Sequence, residues 1–304
     1  PSPPVQCQQA AVAICITGQL RGSLNTGNLA RSVDTWRGVG AGCADFFLSL
    51  SFDGAQPTPN HGACPPGHPS DMQAVLQLVR PISWRFYNGT VAIAESNGTS
   101  SHDIQAPSSC KKPADWTDGS SVLCGERSEI TDCTNPRCTH CQHGFPYYII
   151  PQTRTHACLQ DIMDQEVRRA SPYQYIVTHR PDFVLPPLPS YYLWSTVFTS
   201  EHLYVCNACK ELNVHCAVDY FFLMRRQMLP AFLTVLDTYL ECQSRAFDVQ
   251  LGLTNTYTWP WYFASEGIMY AAMAKHRDVV ADVGHYGGDC PGSLDRGGCY
   301  KSTD

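Results

Sequence analysis

The sequence predicts an α/β fold in which a mostly parallel central sheet is flanked by helices. Apolar runs with the length and composition of buried strands lie at residues 10–16, 44–52, 82–87 and 175–177. Apolar side chains at helical spacing lie at residues 25–36, 71–79 and 153–170. Because these patterns alternate, parallel strands joined by helical crossovers are expected. Further along, strands are predicted at residues 217–224 and 279–283, and helices at 227–240 and 265–275.

The composition is that of a globular domain, and we expect one domain over residues 1–304. Of the 304 residues, 43% are hydrophobic and 11% are aromatic, which is enough for a large core. The formal net charge is −6 with 21 Lys and Arg, so no nucleic-acid partner is expected. No apolar run reaches the roughly 18 residues that span a bilayer. Since the chain begins with PSPP, we interpret it as a domain without its own membrane contact, from which a targeting segment or N-terminal anchor has been removed.

Cysteines and glycosylation motifs together indicate an oxidising compartment. The chain contains 16 cysteines, and N-glycosylation sequons begin at Asn88 and Asn97. Disulfides persist in the secretory pathway and outside the cell. We therefore expect a disulfide-bonded glycoprotein of the secretory pathway, either in the Golgi lumen as part of a type II membrane protein or secreted.

A polar segment at about residues 88–144 interrupts the alternation of strands and helices. It is too long for a bare loop in a compact domain, so we interpret it as an insertion. Its cysteines are Cys110, Cys124, Cys133, Cys138 and Cys141. Disulfides would staple such an insertion, but the last three cysteines, beside His140 and His143, also have a spacing that suits zinc. The sequons favour disulfides because zinc needs reduced thiolates, and the zinc alternative stays open.

The first predicted strand ends in a small polar loop, TGQLRG at residues 17–22. A strand, a glycine-containing loop and a helix form the unit that faces phosphate groups in nucleotide-binding folds. The loop matches neither the GxGxxG pattern nor a P-loop. It is therefore either a phosphate-facing loop of another kind or an ordinary turn between a strand and a helix.

The strand at residues 175–177 leads into a second polar cluster, THRPD at residues 178–182. Pro181 biases Arg180 towards an extended conformation, so Arg180 and Asp182 are expected on the same side of the chain. A cation beside a carboxylate at the end of a strand suits a phosphate group and its accompanying metal ion. The alternative is a surface salt bridge at a strand–loop junction, which contributes little to stability.

Three short motifs, taken in order, resemble glycosyltransferases of the GT-A type. The first is TGQLR at residues 17–21, which matches a [ST]-G-Q-x-R strand end. The second is THRPD at residues 178–182, which is similar to R-x-R-P-D with Thr178 in place of the first Arg. The third is DYFFLM at residues 219–224, followed about forty residues later by SEGIM at 265–269, which is similar to a D-x-F-F … E-x-x-L pair. The resemblance covers most of the chain outside the Cys-rich insertion.

The resemblance implies a GT-A-like, Rossmann-like domain that moves a sugar from a UDP- or GDP-linked donor to a hydroxyl of a glycan or glycoprotein. Mn²⁺ or another divalent cation would assist, held by Asp182 and by His285. Arg180 stands where a second metal-binding Asp is expected, so it is alternatively the group that neutralises the diphosphate. The residues implied to bind the nucleotide are Thr17, Gly18, Gln19, Arg21 and Arg180.

An inverting transfer also needs a base at the acceptor hydroxyl, and Glu266 and Asp219 are the candidates for that role. A carboxyl group in a closed, aromatic-lined site can have its pKa raised towards neutrality. Glu266 has a structural alternative, because it lies in the first turn of a predicted helix, where a carboxylate interacts favourably with the helix dipole.

Two other functions fit the same residues. One is a non-catalytic, disulfide-rich carbohydrate-binding protein or inactive transferase, which binds sugar without turning over a nucleotide sugar. The other is a metal-dependent hydrolase that uses Asp182, His179 and His285 and needs no nucleotide. Stabilisation by a nucleoside diphosphate separates the transferase from the hydrolase, because a ligand that binds the folded state stabilises it.

Overall fold

The computed structural model describes residues 11–20, 27–39, 43–52, 68–88, 91–96, 146–184, 204–207, 217–240 and 293–294. Most of the Cys-rich segment, the helix predicted at residues 265–275 and the strand predicted at 279–283 lie outside these ranges. Among the described helices, none combines the length and the hydrophobicity that crossing a bilayer requires.

A mixed sheet forms the centre of the described structure. Its strands are β1 Val12–Gln19, β2 Ala44–Ser51, β3 Ser83–Asn88, β4 Val91–Glu95, β5 Tyr175–His179, β7 Tyr204–Asn207 and β8 Ala217–Arg225. Within the described residues these seven strands lie in the order β4-β3-β2-β1-β5-β8-β7. A separate short pair consists of β6 Phe183–Val184 and β9 Ser293–Leu294.

Parallel pairing is confined to the middle of the sheet. β1 pairs in parallel with β2 and with β5, and β2 pairs in parallel with β3. β4, β8 and β7 are each antiparallel to their neighbours. The α/β prediction is confirmed, but the mostly parallel sheet is corrected to a mixed one. For β4 the reason is simple, because it follows β3 through a two-residue connection, which only an antiparallel pair allows.

Helices cover both faces of the sheet. They are α1 Asn28–Val39, α2 Pro69–Val79, α3 Pro146–Arg169 and α4 Leu229–Leu240, the last preceded by a 3₁₀ turn at Arg226–Met228. On the α1 face, Leu29, Val33 and Trp36 belong to one core cluster with Ile14 and Ile16 of β1. Their spacing along α1 is the helical periodicity that the sequence shows, and their burial is what makes this helix stable.

The opposite face is covered by α3 and α4. Leu159 and Ile162 of α3 and Val235 of α4 form a second core cluster with Ala13 and Phe47 of the sheet. Successive residues of β1 therefore alternate between the two clusters, as the two-residue period of a strand requires. Both faces of the central strands are buried, which explains why these strands are continuous apolar runs.

A disulfide joins Cys15 of β1 to Cys158 of α3 inside the second core cluster. Both cysteines are at most 1% exposed, and 143 residues separate them along the chain. Closing a loop of this length in the unfolded chain favours the folded state by about 5 kcal/mol on a chain-entropy model. The disulfide and the surrounding apolar contacts together fix α3 on the sheet.

Three elements differ in extent from the sequence predictions. β1 runs on through residues 17–19, which the sequence assigned to a loop, because their backbone pairs with residues 49–51 of β2. β4 lies within the segment that composition assigned to the insertion, so the sheet reaches into that segment. α3 begins at Pro146, earlier than the apolar spacing indicated.

Candidate functional site

The candidate site lies at the edge of the sheet where β1 and β5 end. The chain passes from β1 to β2 and β3 on one side, and β5 then joins β1 on the other side. The edge between β1 and β5 is therefore a topological switch point, where open α/β sheets form a crevice that binds ligands. The described residues of both polar motifs lie here, with Gly18 and Gln19 at the end of β1 and His179 at the end of β5.

Gly18 is the point at which the two motifs touch. Its φ is +125°, a backbone conformation that residues with a side chain rarely adopt. A Cβ at this position would lie 3.4 Å from Cγ of Arg180 and 3.5 Å from Cδ of Pro181. The segment after β5 therefore lies directly against the backbone at the end of β1.

Arg180 and Asp182 form a two-point ion pair. Nε of Arg180 donates to Oδ1 of Asp182 at 3.0 Å, and Nη2 donates to Oδ2 at 2.7 Å. The Asp182 side chain is 1% exposed and that of Arg180 is 19% exposed. The two lie together, as the Arg-Pro-Asp spacing predicts, but the pair is not a surface salt bridge because its carboxylate has lost its water. A partly exposed cation is thus held in one orientation by a buried carboxylate.

His179 is neutral, and its neighbours fix its tautomer. The indole Nε1 of Trp36 donates to Nε2 of His179 at 3.2 Å, and Nδ1 lies 2.8 Å from the backbone carbonyl of Arg180. An indole can only donate and a carbonyl can only accept, so the proton is on Nδ1. Burial lowers the pKa of His179 to about 4, although the Arg180 carbonyl and Asp182 both act to raise it. Because Nδ1 carries the proton, a metal ion would bind through Nε2 and would break the bond from Trp36.

Helix α1 holds both ends of the segment at residues 179–183. Trp36 holds the histidine, and Ser32, one turn earlier, donates from Oγ to the carbonyl of Phe183 at 2.7 Å. The N–H of Phe183 donates to the carbonyl of Arg180 at 3.0 Å, which closes a turn around the ion pair. Ser32 and Trp36 are both at most 1% exposed. The backbone that carries the ion pair is therefore positioned by α1.

Helix α3 covers the same edge from the other face with buried polar side chains. The hydroxyl oxygens of Thr17 and Thr155 are 3.1 Å apart and share a hydrogen bond, so Thr17 contacts α3. Within the described residues, Oγ of Ser51 and both amide atoms of Gln152 have no hydrogen-bond partner. A buried polar group without a partner costs about 1–3 kcal/mol. This side of the edge is polar and buried, but its hydrogen bonds are incomplete.

The other predicted site residues are placed only in part. Asp219 lies near the start of β8, two residues before Phe221, which pairs with His179. Because β8 is antiparallel to β5, the backbone of Asp219 lies at the edge where β5 ends. Gln19 is half-buried at the end of β1. Three further residues, Arg21, Glu266 and His285, lie outside the described residues.

The described residues do not by themselves fit a divalent cation. Both carboxylate oxygens of Asp182 engage Arg180, and direct coordination requires this buried pair to open. The described part of the chain contains no group of three or more side chains that could hold a metal ion. Since Mn²⁺ and Mg²⁺ prefer several oxygen ligands, Asp182 alone is insufficient. The metal ion stays a prediction that depends on His285 and other residues outside the described ranges.

Ser32 and Trp36 are positioning residues that the sequence reasoning missed. The helical pattern identified Trp36 as a core residue but supplied no partner for its indole N–H. Ser32 lies beside Val33 on the buried face of α1, and a hydroxyl at such a position signals a buried hydrogen bond. The partner could not be identified, because Phe183 is 151 residues away along the chain.

Comparison of the chain with protein-family models gave no match, and comparison with curated proteins gave no relative. The geometry of the β1–β5 edge and the motifs on it therefore carry the functional interpretation.

Proposed function

We propose that the chain is a glycosyltransferase that moves a sugar from a nucleotide-diphosphate sugar to a hydroxyl of a glycan or glycoprotein. The observation that carries the proposal is the contact between Gly18 and the Arg180–Pro181 segment at the switch point of the sheet. The two motifs of the GT-A resemblance meet there, although they are far apart in sequence. A partly exposed guanidinium beside a glycine backbone suits a diphosphate.

The topology supports the GT-A-like part of the proposal. The strands β3, β2, β1 and β5 form a parallel, Rossmann-like core with helices on both faces. The proposed site lies outside the carboxyl ends of these strands, as nucleotide sites in such sheets do. The buried Cys15–Cys158 disulfide supports an oxidising compartment, and we propose the Golgi lumen or the outside of the cell.

In the proposed mechanism Arg180 stabilises the negative charge that develops on the departing nucleoside diphosphate. A preorganised cation is effective because it needs no reorientation as the charge develops. Asp182 orients this cation through both of its oxygens. The nucleotide would contact Gly18, Gln19 and Arg21. Proton removal from the acceptor is proposed for Glu266 or Asp219.

The proposal also includes a divalent cation that would assist the transfer. If one binds, Asp182 would ligate it together with His285, and Arg180 would then turn towards the phosphates. The cation would supply positive charge at the diphosphate. Experiments therefore have to distinguish the role of Arg180 from that of Asp182.

The proposal is tested by thermal unfolding of the full chain with UDP, GDP and CMP, each with and without Mn²⁺. We expect a nucleoside diphosphate to raise the Tm, because a ligand of the folded state stabilises it by mass action. A nucleotide sugar that uses the same nucleotide should then be hydrolysed slowly or transferred to a glycan. No response to any nucleotide overturns the transferase, and binding without turnover supports the inactive-transferase alternative.

Two variants separate the roles of the ion pair, each compared with its own unfolding temperature without ligand. Arg180→Ala should abolish the nucleotide response at every Mn²⁺ concentration if Arg180 contacts the diphosphate. Asp182→Asn keeps one oxygen that accepts from Arg180 but removes the charge and the second acceptor. The Mn²⁺-dependent part of the response should therefore be lost, and the Mn²⁺-independent part should fall by a smaller factor. Asp34→Asn, in an exposed pair with Arg37, is the matched control. A nucleotide response that survives Arg180→Ala contradicts the assigned role.

The hydrolase alternative is weakened by the state of His179. Both of its ring nitrogens take part in hydrogen bonds. Burial keeps the imidazole neutral and also shields it from solvent. A hydrolase built on this residue would have to open the contact with Trp36. The hydrolase predicts turnover without nucleotide, which the same thermal and turnover experiments detect.

A further inference from the structure

Asn88 is an exposed asparagine that begins an N-glycosylation sequon. It is followed by Gly89 and Thr90, which supply the hydroxyl residue that the modification requires two positions on. In the structure Asn88 is exposed at the end of β3, whereas the two residues before it are buried. We propose that Asn88 carries an N-linked glycan at the carboxyl edge of the sheet. The attachment itself does not depend on the transferase proposal.

The position of Asn88 in a hairpin makes its side chain available for modification. Asn88 pairs with Val91, so only residues 89 and 90 connect β3 to β4. The exposure of Asn88 itself places this end of β3 at the surface. A glycan attached to Asn88 requires no rearrangement of the core. The side chains that β3 contributes to the core here are those of Phe86 and Tyr87, which stay buried.

The chemistry requires a lipid-linked oligosaccharide diphosphate as the donor. The side-chain nitrogen of Asn88 loses a proton and forms a bond to the anomeric carbon of the first sugar. The bond from that carbon to the phosphate oxygen breaks, and the lipid diphosphate leaves with the electron pair. No oxidant or reductant is needed, and a base of the enzyme that attaches the glycan takes up the proton. The reaction therefore requires the sequon, an accessible asparagine and delivery to the secretory pathway, where that enzyme acts.

The glycan would stand beside the candidate site. Tyr87 is level with Ser51 of β2, and Ser51 is level with Gln19 of β1. Asn88 is therefore about two strand spacings, on the order of 10 Å, from the end of β1. A glycan here would limit the approach of bulky acceptors from the β3 side. This consequence rests on the proposed function.

The test is to produce the full chain behind a cleavable secretion signal in a eukaryotic host. Wild type is compared with Thr90→Ala, which removes the required hydroxyl but leaves Asn88, and with the matched control Thr90→Ser, which keeps the hydroxyl. Mass spectrometry of peptides, before and after enzymatic release of the glycan, measures occupancy at Asn88. We expect Asn88 to be occupied in wild type and in Thr90→Ser, and unoccupied in Thr90→Ala.

Unmodified Asn88 in secreted wild-type protein overturns the proposal. A glycan at Asn97 in the same molecules would show that the protein had encountered the enzyme that attaches N-linked glycans. Because occupancy in wild type decides the outcome, poor folding of a variant does not obscure it. Occupancy is measured without any nucleotide, so it is independent of the transferase. Conversely, the nucleotide response of Thr90→Ala tests the transferase in the absence of this glycan.

Discussion

The two faces of the sheet approach the β1–β5 edge in different ways. On the α1 face, hydrogen bonds lead from Ser32 and Trp36 through the segment at residues 179–183 to the buried ion pair. On the α3 face, Ser51 and Gln152 bury polar atoms that have no partner within the described residues. The buried polar side chains named on the α1 face have hydrogen-bond partners, whereas those named on the α3 face have none among the described residues.

This difference indicates which side of the edge is rigid. A fully satisfied network fixes one geometry, whereas buried polar atoms without partners raise the free energy of the conformation that buries them. The α1 face should therefore hold Arg180 in place before any ligand arrives. The α3 face gains most from an added partner, whether a ligand or a water molecule. Four predictions test this contrast, from the largest expected effect to the smallest.

The largest effect is expected for Arg180→Ala. It leaves the Asp182 carboxylate buried without its cation, which should lower the free energy of unfolding by about 3–5 kcal/mol. Urea denaturation measures the change. Asp34→Ala removes a carboxylate that is 76% exposed and 4.0 Å from Arg37, and it should cost less than about 1 kcal/mol. Equal losses in the two variants would remove the distinction between a buried network and a surface pair.

Acid should weaken the α1 face through His179. Burial lowers its pKa from the ordinary value of 6.5 to about 4 in the folded chain, so the unfolded chain binds one more proton between these values. Stability is therefore fully present above the unfolded pKa and falls as the pH drops towards 4, by about 3 kcal/mol in total. Urea denaturation across this pH range measures the slope.

The control for this pH dependence is His179→Gln, which cannot take up the proton. This variant should be less stable near neutral pH, because it loses the contact with Trp36, but its stability should change less on acidification. A slope unchanged from that of wild type would assign the pH dependence to other groups.

A smaller effect is expected for Ser32→Ala. This change leaves the buried carbonyl of Phe183 without the hydroxyl donor and should cost about 1–2 kcal/mol. On the same helix, the hydroxyl of Thr35 makes a solvent-exposed hydrogen bond to the carbonyl of Arg31 one turn earlier, so Thr35→Ala should change stability by less than about 0.5 kcal/mol. If both variants unfold at the same urea concentration, α1 does not secure the segment as described.

The smallest effect, and one of opposite sign, is expected on the α3 face. Ser51→Ala and Gln152→Met remove polar atoms that have no described partner while keeping most of the side-chain volume. They should leave the ligand-free stability unchanged or raise it by up to about 1 kcal/mol, because no satisfied hydrogen bond is lost. A clear loss of stability would mean that these atoms are paired, and the contrast between the faces would then disappear.

Local patterns predicted most of the described elements because periodicity can be read within one segment. β2, α2 and α4 lie close to the predicted positions, since their apolar spacing alone specifies which side is buried. The direction of β8 could not be predicted, because an apolar run looks the same in either direction. The structure shows that β8 is antiparallel to β5.

The candidate site divides in the same way. The motifs identified Gly18, Arg180 and Asp182, which share the switch-point edge. They did not reveal that the carboxylate is committed to its neighbouring cation, because burial depends on the surrounding fold. Trp36 and His179 are 143 residues apart, and the cysteines of the described disulfide are equally distant. Such pairings depend on how distant segments pack, which spacing along the chain does not encode.

The Cys15–Cys158 bridge has a consequence for cleavage of the chain. It spans 143 residues, and most of the Cys-rich segment lies between its ends. A protease that cuts once inside this span breaks the backbone without releasing either fragment. Protein cut once should therefore migrate in denaturing electrophoresis as one species without reductant and as two with it. β1 stays covalently linked to α3 after the cut.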